Sequence, residues 1–528
     1  MTEADDFAAE RLHTLLDTAA AAWPDAPAVR DAGGRWTFAG LAERSRAAAH
    51  WLARRGFRPG DRLLVATRPG REAAALLFGC SRARVVFVPV SPQARPAQWR
   101  NVLDDCVPRG VLTDEASTAV PLNNGGTVAL GLERLREELD EEQAAATDPE
   151  RAAPTGPGQA GPAVPERMGA GGAPRDPALL LYTSGTTAAP KGVVCPHSQV
   201  VFAARAIART LAHRPDDVVF SALPLSFDYG LYQILLTVLA GAELVLATPG
   251  PDLLTRLRRS RATVVPVVPP LADALADLAE RHPVPSTVRL FTNTGAHLPE
   301  ATATRLRRAF PGARITLMYG CTECKRVSVG SPDGDLARPG SVGRPLPGTT
   351  VRILDEDGAP LPPWRTGQIV VAGPHVAAGY WRAPEETARR FRRDPATGDT
   401  WLYTGDHGYL DDDGFLYCRG RRDEIFKLHG VRVSAPEIEA AARRVPGVTD
   451  VALLVPAENR PATLFAVTTL TGRQVLRGLL GQLEPRRVPD VCHVVAALPR
   501  TSHGKVDKAR LAAELRGPAG RRTTGGAE

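Results

Sequence analysis

The sequence predicts an α/β protein whose large N-terminal part contains doubly wound sheets. Apolar runs at residues 63–66 and 85–89 are short, as in buried strands. Helical patterns lie around them, such as residues 47–52, which end near Gly56. Strands that alternate with helices favour a sheet with helices packed on both faces. The same alternation resumes over residues 179–330.

Changes in composition indicate how the chain is divided. Residues 138–177 are dominated by Pro, Gly, Ala, Glu and Arg, so we interpret them as a disordered insertion. Residues 340–420 are rich in valine, glycine and turn signals, which predicts a smaller β-rich subdomain. No second carrier-type domain is expected after residue 515. The expected organisation is a large N-terminal domain (1–422), a small α+β C-terminal domain (423–515) and a tail (516–528).

Composition also disfavours several classes of function. The chain has 528 residues and a net charge of +7, but no basic block with interleaved aromatics indicates nucleic-acid binding. The acidic start is unlike a signal peptide. The most apolar stretch, residues 231–246, contains Gln233 and Glu243 and is too short to span a membrane. Seven scattered cysteines suit reduced thiols, and the lone Cys321/Cys324 pair does not favour a metal site. We therefore expect a cytoplasmic protein without membrane or nucleic-acid partners.

The most informative stretch spans residues 180–193. Apolar residues lead into a hydroxyl-rich run around a glycine, which a Pro-Lys-Gly sequence closes, as when a strand enters an exposed loop. Glycine lets the backbone approach a ligand, and N–H groups, hydroxyls and an ammonium group suit phosphate. The pattern differs from the standard P-loop, in which the lysine follows its glycine. The candidate phosphate-binding residues are Thr183, Ser184, Gly185, Thr186, Thr187 and Lys191.

This run resembles the signature Tyr-Thr-Ser-Gly-Thr-Thr-Gly-x-Pro-Lys-Gly of the adenylate-forming superfamily. That superfamily includes acyl-CoA synthetases, adenylation domains of nonribosomal peptide synthetases, and luciferases. Ala188 stands where the signature has a glycine, and no phosphate donor is lost by this change. The resemblance implies ATP and Mg²⁺ as ligands, Thr187 at the metal, and a small mobile C-terminal domain that closes over the large one.

A second motif, residues 318–324, resembles the superfamily pattern Tyr-Gly-x-Thr-Glu. The resemblance implies that Tyr319, with Gly320, lies near the adenine, that Thr322 contacts the α-phosphate, and that Glu323 holds Mg²⁺. A hard divalent cation prefers oxygen ligands, which fits the glutamate. Upstream, at the distance where the family places an adenine-facing turn, lie Gly295 and Ala296.

Three further motifs follow in the family's order. Residues 401–406 resemble its Thr-Gly-Asp, which implies that Asp406 accepts hydrogen bonds from the ribose. In the next match, residues 420–439, Arg421 would contact the ribose and Asp423 would be the interdomain hinge. Residues 499–505 resemble Pro-x-Thr-x-x-Gly-Lys, which makes Lys505 the catalytic lysine. Only five of the 65 basic residues are lysines, so an incidental tail lysine is a weaker interpretation.

The sequence leaves two substrate classes open. Residues 223–231 contain Phe227-Asp228, and peptide-synthetase adenylation domains use such an aspartate to bind the α-ammonium group. Fatty-acyl-AMP ligases have a similar His-Asp-Met-Gly-Leu, in which the aspartate has another role, so both interpretations stay open. The resemblance implies a substrate pocket of Phe227, Asp228, Asn293 and Cys324.

The predicted reaction is ATP-dependent adenylation of a small aryl, amino or acyl carboxylic acid with release of pyrophosphate. The acyl group would then pass to the thiol of CoA or of a phosphopantetheine carrier, which would be a separate carrier protein. Two enzymatic alternatives stay open: adenylation of a non-carboxylate such as nitrite in diazo formation, and a fatty-acyl-AMP ligase. A catalytically inactive protein of the same fold is less favoured, because Lys191, Glu323, Asp406 and Lys505 are all present.

Overall fold

The structure is a computed structural model. It describes residues 10–94, 96–114, 128–147, 175–183, 190–283, 285–395, 397–421, 424–429, 431–457, 460–501 and 505–516. Within these ranges, no helix is both long and apolar enough to cross a membrane.

The elements up to residue 246 alternate as the apolar runs predict. In chain order they are α1 (Leu12–Ala22), β1 (Pro27–Asp31), β2 (Gly34–Thr37), α2 (Phe38–Arg54), β3 (Arg62–Ala66), α3 (Arg71–Ala83), β4 (Val86–Pro89), α4 (Pro96–Cys106), β5 (Gly110–Thr113), β6 (Val128–Gly131), α5 (Leu132–Thr147), β7 (Pro177–Thr183), β8 (Lys191–Pro196), α6 (His197–Leu211), β9 (Val218–Ser221), α7 (Asp228–Ala240) and β10 (Glu243–Leu246). The predicted strands at 63–66 and 85–89 and the predicted helix around 47–52 are confirmed as β3, β4 and α2.

The remaining elements complete the first two sheets and add three smaller ones. They are α8 (Leu253–Arg259), β11 (Val264–Val267), α9 (Pro269–Arg281), β12 (Leu290–Asn293), α10 (Glu300–Ala309), β13 (Arg314–Tyr319), β14 (Ser328–Val329), α11 (Gly334–Ala337), β15 (Arg344–Pro345), β16 (Thr350–Leu354), β17 (Gly367–Ala372), β18 (Gly379–Tyr380), α12 (Pro384–Arg390), β19 (Phe391–Arg393), β20 (Thr400–Leu410), β21 (Leu416–Arg421), β22 (Ile425–Leu428), β23 (Val431–Ser434), α13 (Ala435–Arg443), β24 (Val448–Leu454), β25 (Thr463–Thr468), α14 (Gly472–Leu480), β26 (Val491–Val494) and α15 (Lys508–Arg516).

Two large sheets form the N-terminal part. The strand order of the first is β15-β14-β13-β12-β11-β9-β10-β1-β2, and its six central strands, β13 to β1, are parallel. The order of the second is β18-β8-β7-β4-β3-β5-β6, with parallel pairing from β7 to β6. Parallel strands are buried on both faces, which explains the continuous apolar runs in the sequence. The predicted doubly wound α/β class is therefore confirmed.

The third sheet is the predicted β-rich region. Its order is β16-β17-β20-β19, and β21 pairs with the other end of the long strand β20. Beyond residue 424, β22-β23 and β24-β25-β26 form two small sheets. Their apolar residues pack into clusters drawn from residues 426–515, so this C-terminal part has a core of its own.

The interpretation of residues 138–177 as a disordered insertion is wrong at both ends. Helix α5 continues through Thr147, and Leu135 and Leu139, one helical turn apart, are both fully buried. The carboxylate of Glu138 lies between them in sequence and accepts hydrogen bonds from Trp51 and Arg55 of α2. At the other end, residue 177 already begins β7. Residues 148–174 lie outside the described residues.

Two histidines near α1 are buried and neutral. The Nδ1 atom of His13 lies 2.9 Å from the Ser81 hydroxyl, and Nδ1 of His197 accepts a hydrogen bond from the Leu12 N–H at 3.4 Å. Burial, followed by the charge of Arg82, lowers the pKa of His13 to about 4. Burial, with a smaller effect of Arg11, lowers the pKa of His197 to about 3.

The melting temperature should therefore fall by a few degrees as the pH decreases from about 6.5 to about 5. In this window the unfolded chain binds protons on these histidines, whereas the folded chain does not, so acid favours unfolding. His13→Asn should weaken this pH dependence, and substitution of the exposed His282 by Asn should not. A wild-type melting temperature that stays flat over the window would contradict the explanation.

Candidate functional site

The site begins at the carboxyl ends of two neighbouring parallel strands, β12 and β13, where Asn293 pairs with Leu317. Ligands of open α/β sheets commonly bind at such an edge. Gly295 follows β12 with φ +82°, and a Cβ atom there would lie 2.7 Å from the Phe227 ring. The turn predicted to face adenine therefore contacts the predicted substrate pocket. Asn293 is buried, and its amide donates to the Val267 carbonyl at 3.3 Å.

A tight turn follows β13 over residues 320–326. The Val327 N–H donates to the Tyr319 carbonyl at 2.8 Å and closes the turn. A Cβ atom on Gly320 would collide with the Lys325 carbonyl, so only glycine fits there. Lys325 itself has φ +62°, which is rare for a residue with a side chain. The turn thereby presents Glu323 and Lys325 from a short piece of backbone.

One end of the turn meets the residues predicted for the nucleoside. The Tyr319 hydroxyl donates to Asp406 Oδ2 at 2.6 Å. Asp406 and Arg421 are cross-strand partners in the β20–β21 pair. Burial raises the pKa of Asp406, against the opposing hydrogen bond from Tyr319 and the charges of Arg421 and Arg390. The structure thus brings these predicted residues together.

Glu323 lies in a network with the predicted phosphate-binding lysine. The Tyr380 hydroxyl donates to Glu323 Oε1 at 2.6 Å, and the Lys191 ammonium lies 5.6 Å from the centre of the Tyr380 ring. Lys191 forms a 2.6 Å ion pair with Glu386 of α12. Burial, followed by the charges of Arg389 and Arg390, lowers the pKa of Lys191.

The buried Glu323 carboxylate is the kind of oxygen donor that Mg²⁺ prefers. Its predicted partner Thr187 lies outside the described residues. Within the described part of the chain, no group of three His, Cys, Asp or Glu residues could hold a metal ion. Mg²⁺ usually shares its ligands with substrate phosphates, so a single carboxylate fits this metal. The Cys321 and Cys324 thiols contact each other at 3.4 Å.

The other end of the turn carries two buried cations. Lys325 is 1% exposed and Arg326 is 4% exposed. The Lys325 ammonium donates to the Thr322 carbonyl at 2.6 Å and contacts Cys195 Sγ at 3.1 Å. Arg326 lies over the Tyr229 ring at 4.9 Å. Asp228, the first residue of α7, is also buried.

The charges of Asp228, Lys325 and Arg326 act on shared neighbours. Burial raises the pKa of Tyr232, Asp228 raises it further, and Arg326 opposes the rise. Burial likewise raises the pKa of Cys195, which Lys325 opposes and Asp228 reinforces. Asp228 therefore lies within electrostatic reach of the surroundings of both cations.

Several predicted residues are not placed at the site. Lys505 is exposed and, among the described residues, makes no side-chain hydrogen bond or ion pair with the site. The described part of the chain does not include Ser184, Gly185, Thr186, Thr187, Asp423 or the side chain of Thr183.

Sequence reasoning missed five residues that contact the predicted ones: Lys325, Arg326, Tyr380, Glu386 and Arg390. Lys325 carried a usable signal, because it is one of only five lysines and directly follows the Thr-Glu motif. The other four gave no comparable signal, since they lie outside the quoted motifs.

Comparison with known proteins gives consistent matches. The AMP-binding enzyme family matches residues 16–381. Sulfoacetate–CoA ligase of Cupriavidus necator is 31% identical over 97% of this chain and 98% of its own length. AMB antimetabolite synthetase AmbB of Pseudomonas aeruginosa is 30% identical over 95% of this chain. The chain spans only 38% of AmbB.

Solved structures are similar over most of the chain. VinN superposes with a TM-score of 0.70 at 42% identity, covering 78% of this chain and 99% of VinN. VinN is also known in complexes with L-aspartate (TM-score 0.68, 41% identity) and with 3-methylaspartate (0.64, 38%), at the same coverage. ATP-bound MatB from Rhodopseudomonas palustris superposes with a TM-score of 0.81 at 29% identity, over 97% of this chain and all of MatB.

Lys191→Ala should raise the KM for ATP about tenfold or more, because it removes a cation aimed at phosphate. Glu386→Gln removes the protein carboxylate that competes for the same ammonium group, so its KM for ATP should equal or fall below the wild-type value. Pyrophosphate release at varied ATP measures both effects. Unchanged ATP kinetics in Lys191→Ala would show that the phosphate role is wrong.

Proposed function

Because the chain belongs to the AMP-binding enzyme family of adenylate-forming ligases, we propose that it activates a small amino acid that carries a second carboxylate. In the first half-reaction, this acid and ATP form an acyl-adenylate and pyrophosphate. In the second, the acyl group passes to a phosphopantetheine thiol, either that of CoA or that of a carrier protein.

The observation that carries the proposal is the buried Lys325. A buried ammonium group is costly unless an anion accompanies it. Among the described residues, no carboxylate forms an ion pair with Lys325 or Arg326, and Nε of Arg326 is buried without a hydrogen-bond partner. Two adjacent cations of this kind suit a carboxylate group of the substrate.

Asp228 supplies the opposite charge in the same pocket. Its Oδ1 atom accepts one hydrogen bond, from the Tyr229 N–H at 2.9 Å, and it forms no ion pair with a described residue. A carboxylate held this way suits a substrate ammonium group. One acidic and two basic side chains around a pocket therefore match an amino acid with a carboxylate besides the one that is activated.

The VinN complexes support this substrate class. Their ligands, L-aspartate and 3-methylaspartate, each carry one amine and two carboxylates. This combination is the one that Asp228, Lys325 and Arg326 would complement. It favours the amino-acid interpretation of Phe227-Asp228 over the fatty-acyl one.

The remaining residues would act on the nucleotide. Tyr319 and Asp406 hold the nucleoside end, and Lys191 contacts the phosphates. Mg²⁺, when bound at Glu323, neutralises charge on the phosphates. Preorganised cations lower the barrier because negative charge is shared between the attacking carboxylate and the α-phosphate. Lys505 would add an ammonium group at these oxygens and orient the two reactants.

Lys505 can act only if the small domain closes on the large one. The C-terminal cores consist of residues after 425, so this part is able to move as a unit. We therefore propose 1–422 and 423–515 as the two bodies, with the hinge at Asp423. A second orientation would serve thiol transfer, and closure would exclude water from the adenylate.

Pyrophosphate release across an acid panel tests the substrate class. L-aspartate and 3-methylaspartate should exceed three analogues by about 100-fold or more in kcat/KM: succinate, which lacks the amine, and β-alanine and L-alanine, which each lack one carboxylate. Asp228→Asn should erase the preference over succinate. Arg326→Gln should erase most of the preference over the monocarboxylates, whereas the exposed Arg344→Gln should not.

Several results would reject this substrate class. Preference for octanoate would favour a fatty-acyl-AMP ligase, and preference for nitrite would favour adenylation of a non-carboxylate. Equal losses on aspartate and succinate in Asp228→Asn would remove the ammonium role from Asp228.

The two half-reactions should separate in Lys505→Ala. Acyl-adenylate formation should fall by at least about 100-fold, because an electrostatic contact in the transition state is lost. Thioester formation from supplied acyl-adenylate should persist, since the second orientation moves Lys505 away. Quenched assays with CoA and with a phosphopantetheinylated carrier protein measure this step. Equal damage to both half-reactions would contradict two orientations.

A further inference from the structure

Arg390, the last residue of α12, lies outside every motif that predicted the site. Its side chain is 24% exposed and reaches the part of the site that contains Glu323 and Asp406, the proposed nucleotide half. Its NH2 atom donates to the Thr404 carbonyl at 2.7 Å, two residues before Asp406. The same atom lies 3.7 Å from Glu323 Oε1. A Cβ atom on Gly405 would lie 3.1 Å from the Arg390 NH1 atom.

The charge of Arg390 acts on three residues of the site. Burial raises the pKa of Asp406 and of Tyr380, and the charge of Arg390 is among the effects that oppose this rise. At Lys191, burial lowers the pKa most, and the charge of Arg390 lowers it further. The guanidinium group therefore lies beside the strand that carries Asp406 and near Glu323, and its charge also acts on Lys191.

Protein groups accept hydrogen bonds from only some of the N–H donors of this guanidinium group. Nε is buried and has no hydrogen-bond partner within the described part of the chain. The nearest carboxylate, Glu323, is beyond hydrogen-bond distance at 3.7 Å. It already accepts a hydrogen bond from the Tyr380 hydroxyl. Asp406 accepts from Tyr319. A partly buried arginine is suited to an anionic ligand when some of its donors are free and the neighbouring carboxylates already accept hydrogen bonds from other residues.

We propose that Arg390 binds the phosphate chain of ATP, as a second cation beside Lys191. A planar guanidinium group offers parallel N–H donors that match two phosphate oxygens, whereas the lysine supplies a point charge. Glu386, about one turn earlier on the same short helix, pairs with Lys191. Helix α12 therefore contributes to both cations of the phosphate site. The inference rests on adenylation chemistry and is independent of which acid is activated.

Direct nucleotide binding tests this role without any acid substrate. The probes are adenosine, AMP and α,β-methylene-ATP, measured by calorimetry with Mg²⁺ on the full chain. Arg390→Gln should bind α,β-methylene-ATP roughly 10- to 100-fold more weakly, because it loses charged hydrogen bonds to phosphate. Adenosine affinity should change less than about twofold, since adenosine has no phosphate to lose. AMP reports whether the α-phosphate is among the contacts.

Two further variants separate binding from folding. Arg390→Lys keeps the charge and should recover part of the lost affinity. Arg393→Gln, on the neighbouring strand β19, changes an exposed arginine and should bind all three ligands like the wild type. Equal weakening of adenosine and α,β-methylene-ATP in Arg390→Gln would overturn the proposal, because it would mean that Arg390 only holds the Thr404 strand. Unchanged affinity for α,β-methylene-ATP would also overturn it.

Discussion

The turn over residues 320–326 is the constraint on which the site depends. It must reverse the chain within a few residues of β13, and the Val327 N–H to Tyr319 carbonyl bond closes it. This reversal requires glycine at 320, where a side chain would meet the Lys325 carbonyl, and a left-handed backbone at Lys325. Because the turn is so short, Glu323 and Lys325 lie on one short piece of backbone. In the proposed function, the nucleotide half of the site, around Glu323, and the acid half, around Lys325, would therefore be joined by backbone rather than by a flexible loop.

The acid half retains features that cost stability. A left-handed conformation costs a residue such as Lys325 about 1–2 kcal/mol, and burial of its ammonium group adds a desolvation cost. Asp228 does not form a close ion pair with it, although both lie within reach of Cys195. Stability alone would favour an apolar residue at this position. Such costs persist where the charges serve a ligand, which is why the geometry favours a substrate with charges of both signs.

The fold could be predicted from the sequence because it depends on local patterns, and local motifs also named residues that the structure brings together. Apolar runs identified β3 and β4, and the ordered motifs named Tyr319 and Asp406, which the structure joins by a hydrogen bond. Helix α5 was missed because three leucines on one face, Leu132, Leu135 and Leu139, pack against the core in an otherwise polar segment. Arg390 could not be found because its position depends on how α12 packs against β20, a contact between segments that no motif connects.

The position of the Lys325 ammonium group has one more consequence for the site. It donates to the Thr322 carbonyl at 2.6 Å, the peptide group that precedes Glu323. A substrate anion at Lys325 would thus contact a group that also supports the turn at the nucleotide. Arg326 donates to the Lys325 carbonyl at 2.8 Å and faces Tyr229 instead, so it is less directly tied to Glu323. If the proposed substrate class is correct, Lys325 would couple recognition of the acid to the geometry of the reacting groups, whereas Arg326 would act mainly on affinity for the acid.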